Sequence, residues 1–205
     1  MPIRAVVFDL GGVLEHIDDF EDALGERWLE RLAMSPEELR AGLAAIDPDK
    51  LSETGQMSEA EWAARCAGCL GLSPEQQREF SADVWDWYCG ELDGELMTFA
   101  ASLRPRARTA IISNSADGAR REELGRYALD EIFDPIIYSH EVAMAKPDPA
   151  IFELACTLMS VAPAEMIFVD DVAGHIAAAR GLGIHGILHR DTPETIALVN
   201  SLMAG

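Results

Sequence analysis

Residues 3–10 (IRAVVFDL) are apolar and β-branched with little polar alternation, the pattern of a strand buried on both faces. Comparable runs return only in the second half of the chain, at 109–113 (TAIIS), 135–138 (PIIY), 166–169 (MIFV) and 184–188 (IHGIL). Helical periods separate these runs, at 117–128, 149–160, 172–182 and 193–203. Strands alternating with helices of that length predict an α/β fold, a Rossmann-like parallel sheet with helices on both faces.

Residues 15–90 follow another pattern. Ser35-Pro36-Glu37-Glu38 offers an N-cap serine, a proline at the first helical position and a capping-box glutamate. Ser58 with Glu61 and Ser73 with Gln76 repeat the box. With a helix expected at 21–34, the stretch reads as about four helices and no convincing strand. The expected organisation is a core of residues 1–14 and 91–205, with a small all-helical insert at 15–90 after the first strand.

Charge sharpens that division. The net charge is −20, and residues 15–95 alone hold 21 acids and 6 bases. A field of this sign disfavours nucleic acid and anionic membranes. No apolar run approaches the roughly 20 residues of a membrane span. The first residues, MPIRAVVFDLGG, lack the pattern of a secretory signal, so a cytoplasmic location is expected. Cys66 and Cys69 form a lone C-x-x-C in a helical stretch and read, with Cys89 and Cys156, as free thiols.

Ligands of parallel sheets bind where strands end at their carboxyl edges. The first strand ends in Asp9-Leu10-Gly11-Gly12, the second in Ser113-Asn114-Ser115, and the 166–169 strand in Asp170-Asp171. Lys146 precedes the helix that starts near Pro149. Each residue taken singly suits a turn or a helix cap; together they suit a hard metal and a phosphate. A carboxylate can attack phosphorus, dividing one displacement into two. Magnesium takes one or two carboxylates plus substrate oxygens, which Asp9 with Asp170 or Asp171 provides. Lys146 and the Ser113 hydroxyl then hold phosphoryl oxygens, and Gly11-Gly12 lets the backbone approach with its N–H groups.

Four segments, FDLGGVL (8–14), IISNS (111–115), AKPDPAIFELA (145–155) and IFVDDVAGHIAAARGLG (167–183), resemble in order the four motifs of the haloacid dehalogenase superfamily. The insert stands where that family carries a C1 cap. The resemblance implies Asp9 as nucleophile, with Asp9, Asp170, Asp171 and the Gly11 carbonyl as Mg2+ ligands. It implies Ser113, Asn114 and Lys146 as phosphoryl-binding groups. The expected function is hydrolysis of a small phosphorylated metabolite through an aspartyl-phosphate.

Gly11 departs from that pattern. Phosphatases of the family usually carry there a second aspartate, which protonates the leaving group and then activates water. Substitutes near at hand are Glu15, His16, Asp18 and Asp19. Two alternatives follow: a catalytically silent protein that binds a phosphorylated ligand or a partner, or a 2-haloacid dehalogenase, although those usually carry tyrosine at this place. His175 replaces a common asparagine and reads as a cap at a helix start; Trp85, Trp87 and Tyr88 read as packing of the insert's last helix.

Overall fold

The computed structural model describes residues 2–205, apart from the side chains of Glu21 and Asp22. Strand β1 (Ala5–Phe8) is buried along its whole length. It pairs in parallel with β4 (Arg108–Ser113) on one side and β6 (Met166–Asp170) on the other. Outside these lie β5 (Ile136–Tyr138) and β7 (His185–Leu188), giving the order β5-β4-β1-β6-β7. All four pairings are parallel.

Period-two side chains divide β1 between two apolar layers. Val6 and Phe8 join Leu96, Leu103 and Val199, from helices α5 (Gly94–Leu103) and α10 (Thr192–Ala204). Ala5 and Val7 join Phe152, Ala155, Ile176 and Ala179, from α8 (Pro149–Met159) and α9 (Ala173–Gly181). This double burial explains why the strand lacks polar alternation. Helix α5 was absent from the sequence expectation. Asp93 starts it, its Oδ1 accepting the Leu96 N–H at 2.8 Å.

The insert has its own core of Trp28, Leu39, Ile46, Cys66, Leu70 and Phe80. Its helices are α1 (Glu26–Leu32), α2 (Pro36–Ile46), α3 (Glu59–Leu70) and α4 (Pro74–Cys89). All three serine boxes form in both directions at the starts of α2, α3 and α4. The helix expected at 21–34 begins as a π-helical turn (Glu21–Gly25) and stops at Ala33, whose φ is +51°. One expectation needs correction: the insert's borders are strands. β2 (Glu15–His16) and β3 (Glu91–Leu92) pair antiparallel where the chain leaves and re-enters the core. The four cysteines are free. Among the described residues no helix is long and apolar enough to cross a membrane.

Candidate active site

The chain visits β1, β4 and β5 in one direction and then returns to β6 on the other side of β1. Asp9 follows β1 and Asp170 ends β6, so the two carboxylates flank the point where the sheet order reverses, where open α/β sheets place ligands.

Lys146 lies between them, 3% exposed. Its Nζ is 2.6 Å from Asp9 Oδ1 and 2.9 Å from Asp170 Oδ2, and donates to the Ile112 carbonyl at 3.0 Å. These three partners match the three donors of an ammonium. Asn114 locks the lysine's backbone from both sides: its Oδ1 accepts the Lys146 N–H at 2.8 Å, and its Nδ2 donates to the Lys146 carbonyl at 2.9 Å. The same Nδ2 donates to Glu53 Oε2 of the insert at 3.3 Å. The Asn114 side chain thus positions Lys146, and it also lines the cavity on Asp9, where the sequence expects it at the phosphoryl group.

The Leu10 N–H fixes Asp9 through Oδ1 at 2.8 Å. Burial raises its carboxyl to about 7, with Asp170 adding to the rise and Lys146 opposing it. Burial also acts on Asp170, but the His175 hydrogen bond and the Lys146 ammonium outweigh it and bring that carboxyl down to about 2. His175 Nδ1 lies 3.1 Å from both Asp170 oxygens, and the Val172 N–H donates to Oδ1 at 2.7 Å. His175 is therefore a partner of the site carboxylate and more than a helix cap. The Asp9–His175 spacing is 166 residues, and no local pattern signals it.

One ligand atom each from Asp9, Asp170 and His175 lies within 4.8 Å of the others. Asp171 stands outside this group, exposed, beside Gly12. Gly12 has φ +77°, and a Cβ there would come within 2.5 Å of Asp171 Oδ2, so this turn requires glycine. A buried carboxylate whose proton affinity is raised by burial and by a neighbouring ionised carboxylate, as Asp9 is beside Asp170, is a donor that a hard cation relaxes. In that respect the residues fit magnesium.

A cavity of about 190 Å³ opens on Asp9, lined also by Gly11, Ser113, Tyr88, Glu15 and Glu123. Glu15 and Glu123 are each 1% exposed, and Oε1 of each has no hydrogen-bond partner. Tyr138 donates its hydroxyl to Glu123 Oε2. Tyr88 stands in the same cavity wall as Ser113 and Glu123. Of the substitutes considered for the missing aspartate, His16 faces Asp93 at 3.6 Å and is exposed, and only Glu15 enters the cavity. Glu123 and Tyr88 were not foreseen there. Trp85 and Trp87 line an adjoining apolar cavity of about 160 Å³ with Met57, Trp62 and Tyr88, and Trp87 also packs against Phe20.

Burial, then Glu123 and Asp9, raise the Glu15 carboxyl from 4.5 to about 9. The folded chain thus keeps a proton that the unfolded chain releases, and stability falls as pH climbs through that window. By pH 7 the cost is on the order of 3 kcal/mol. Glu15→Gln is expected to be the more stable protein by about that amount at pH 7, with the difference vanishing near pH 4.5. Denaturant titrations across pH check this; a pH-independent difference would show that Glu15 is not held protonated.

Comparison with known proteins places the chain in context. A family profile described as haloacid dehalogenase-like hydrolase matches residues 3–183. Bifunctional epoxide hydrolase 2 of Sus scrofa is 30% identical over 218 residues, covering 96% of this chain. The match spans only 38% of that relative's length. D-ribitol-5-phosphate phosphatase of Bacteroides thetaiotaomicron is 26% identical, covering 88% of this chain and 89% of the relative. A family enzyme from B. thetaiotaomicron, solved in complex with magnesium and inorganic phosphate, superposes with a TM-score of 0.73 at 21% identity, covering 92% of this chain and 94% of that one. L-2-haloacid dehalogenase from Xanthobacter autotrophicus shares the fold at TM-score 0.64 and 20% identity, covering 99% of this chain and 83% of that one.

Proposed function

The chain belongs to the haloacid dehalogenase-like hydrolases, and we propose that within them it is a magnesium-dependent phosphatase acting on a small phosphorylated metabolite. The observation that carries this reading is the Asp9–Lys146–Asp170 arrangement, two buried carboxylates closed on one ammonium beside a cavity. The D-ribitol-5-phosphate phosphatase relative and the neighbour solved with magnesium and phosphate support it.

Asp9, Asp170 and the Gly11 carbonyl would hold the ion, with Asp171 at the rim. Bound there, magnesium would neutralise charge on the phosphoryl oxygens and on the carboxylates around it. The chain's own residues do the rest. Leu10 N–H and Lys146 orient the Asp9 carboxylate toward the cavity. An Asp9 oxygen bonds to phosphorus while the ester bond breaks, and water then cleaves the resulting acyl phosphate. Asn114 keeps Lys146 in place, and Ser113 lines the cavity as a phosphoryl contact. The helical insert acts as a C1-type cap, seated on the core by Glu59–Arg121 and Asp86–Arg126 ion pairs and by Glu53 on Asn114.

Phosphate release from an aryl phosphate, with magnesium and with excess chelator, tests the reading. Turnover with magnesium and its loss on chelation is the expected result. Chelator-insensitive release of halide from a 2-haloacid would replace the reading with dehalogenation, and no turnover of either would leave a binding protein.

Gly11 gives a second test. A Cβ at Gly11 meets only the tip of Ile17 at 2.9 Å, which can move aside. Gly11→Asp is therefore expected to fold and to restore an acid beside the leaving group. Because the cavity wall already holds the buried carboxyls of Glu15 and Glu123, the variant's rates should depend on leaving-group pKa about as steeply as those of wild type, read as the slope across substituted phenyl phosphates. A shallower slope in the variant would mean that wild type lacks a working acid.

A further inference from the structure

Glu123 sits in α6 (Ala119–Arg126), in the run Arg120-Arg121-Glu122-Glu123, yet it is one of the most buried charged residues of the chain. Its Oε1 is enclosed with no partner, in the wall of the cavity that Asp9 and Gly11 share. An unpartnered buried oxygen costs about 1–3 kcal/mol, so a chain that retains one has a use for it or an occupant against it. Gly11 leaves this side of the cavity without the usual proton carrier.

Resting on the phosphatase reading above, we propose that Glu123 is the general acid and base of the reaction, doing from α6 what the side chain absent at Gly11 does elsewhere in the family. In the first step an Asp9 oxygen bonds to phosphorus and the ester P–O bond breaks. The electron pair leaves with the ester oxygen, which takes the proton from Glu123 Oε1. In the second step the Glu123 carboxylate removes a proton from the water whose oxygen attacks phosphorus. The acyl-phosphate P–O bond then breaks, its electron pair returns to the Asp9 carboxylate, and Glu123 is again protonated.

The groups facing Glu123 suit both halves. Tyr138 from β5 donates to it, and Tyr138, Tyr88 from α4 and Arg120 on its own helix favour the carboxylate. Burial, the largest influence, and Asp9 from β1 favour the acid, and the balance stands at about 7. A carboxyl poised near the working pH can give and take a proton, the condition for general acid–base catalysis. Glu15, across the cavity on β2, is held near 9 and gives its proton up less readily.

The test uses wild type, Glu123→Gln and Glu15→Gln with 2,4-dinitrophenyl phosphate, whose leaving group needs no proton, and a simple alkyl phosphate, whose leaving group does. Glu123→Gln is expected to lose roughly 10²–10⁴-fold on the alkyl ester. With the dinitrophenyl ester it should still release a burst of one phenolate per enzyme, followed by slow turnover because the second step lacks its base. Glu123→Asp, which keeps an acid, should recover at least about tenfold of the alkyl-ester rate. Equal losses on both esters without a burst, no loss on either, or the burst appearing in Glu15→Gln instead would each overturn the assignment. Equal alkyl-ester rates for Glu123→Gln and Glu123→Asp would also overturn it. A wild type inactive on both esters would overturn the phosphatase reading and this assignment with it, whereas the other outcomes concern Glu123 alone.

Discussion

Asp9→Asn is expected to lose on the order of 10⁵-fold in phosphate release while remaining folded. The amide has the shape of the carboxylate and can still accept the Leu10 N–H. It offers no anionic oxygen, so no acyl phosphate forms, and nothing else in the cavity replaces it. Glu15 and Glu123 are carboxyls too, but Lys146 bridges only Asp9 and Asp170. Stability should change little or rise above pH 7, because burial and Asp170 hold the Asp9 carboxyl near 7 and its ionised form is the costly one. Activity and stability therefore part company, which separates loss of the nucleophile from loss of the fold. Phosphate release at matched folded concentration, with thermal unfolding alongside, is the measurement. Activity near wild type in the purified variant would remove Asp9 from its role.

How much of this was legible in the sequence follows the range of the interactions. Strand β1 was legible because burial on both faces removes polar alternation over consecutive residues. The three serine boxes were legible because donor and acceptor lie three residues apart. Asp9, Lys146 and Asp170 were legible because each stands at or near a strand's carboxyl end. The neck strands β2 and β3 were not, since two-residue strands have no period and their pairing joins residues far apart in sequence, Glu15 with Leu92 and His16 with Glu91. Glu123 was hidden for another reason. Glu122 and Glu123 are identical neighbours, and only the rotational phase of α6 sends one toward solvent and the other into the cavity. His175 likewise gains its partner through the turn between β6 and α9.

Lys146→Met is expected to destabilise the protein by about 3–5 kcal/mol and to lower phosphatase activity by roughly 10²–10³-fold. Methionine fills the space of the lysine stem but leaves Asp9 and Asp170 facing each other without the ammonium between them. The carbonyl of Ile112 loses its donor as well. Asp9, already raised to about 7 by burial and by Asp170, loses the influence that holds it down and keeps its proton to higher pH. The sign follows: near pH 5 Asp170 is ionised and left without its ammonium, and the destabilisation should grow further above pH 7, where Asp9 ionises in wild type but keeps its proton in the variant. Magnesium offers the decisive comparison, because a divalent ion held by the same carboxylates can replace part of the missing charge. It should raise the melting temperature of Lys146→Met more than that of wild type, by the linkage that stabilises whichever folded state binds it. A larger magnesium shift in wild type would mean that Lys146 assists the ion rather than competing with it, and the carboxylate pair would then not be the metal's seat.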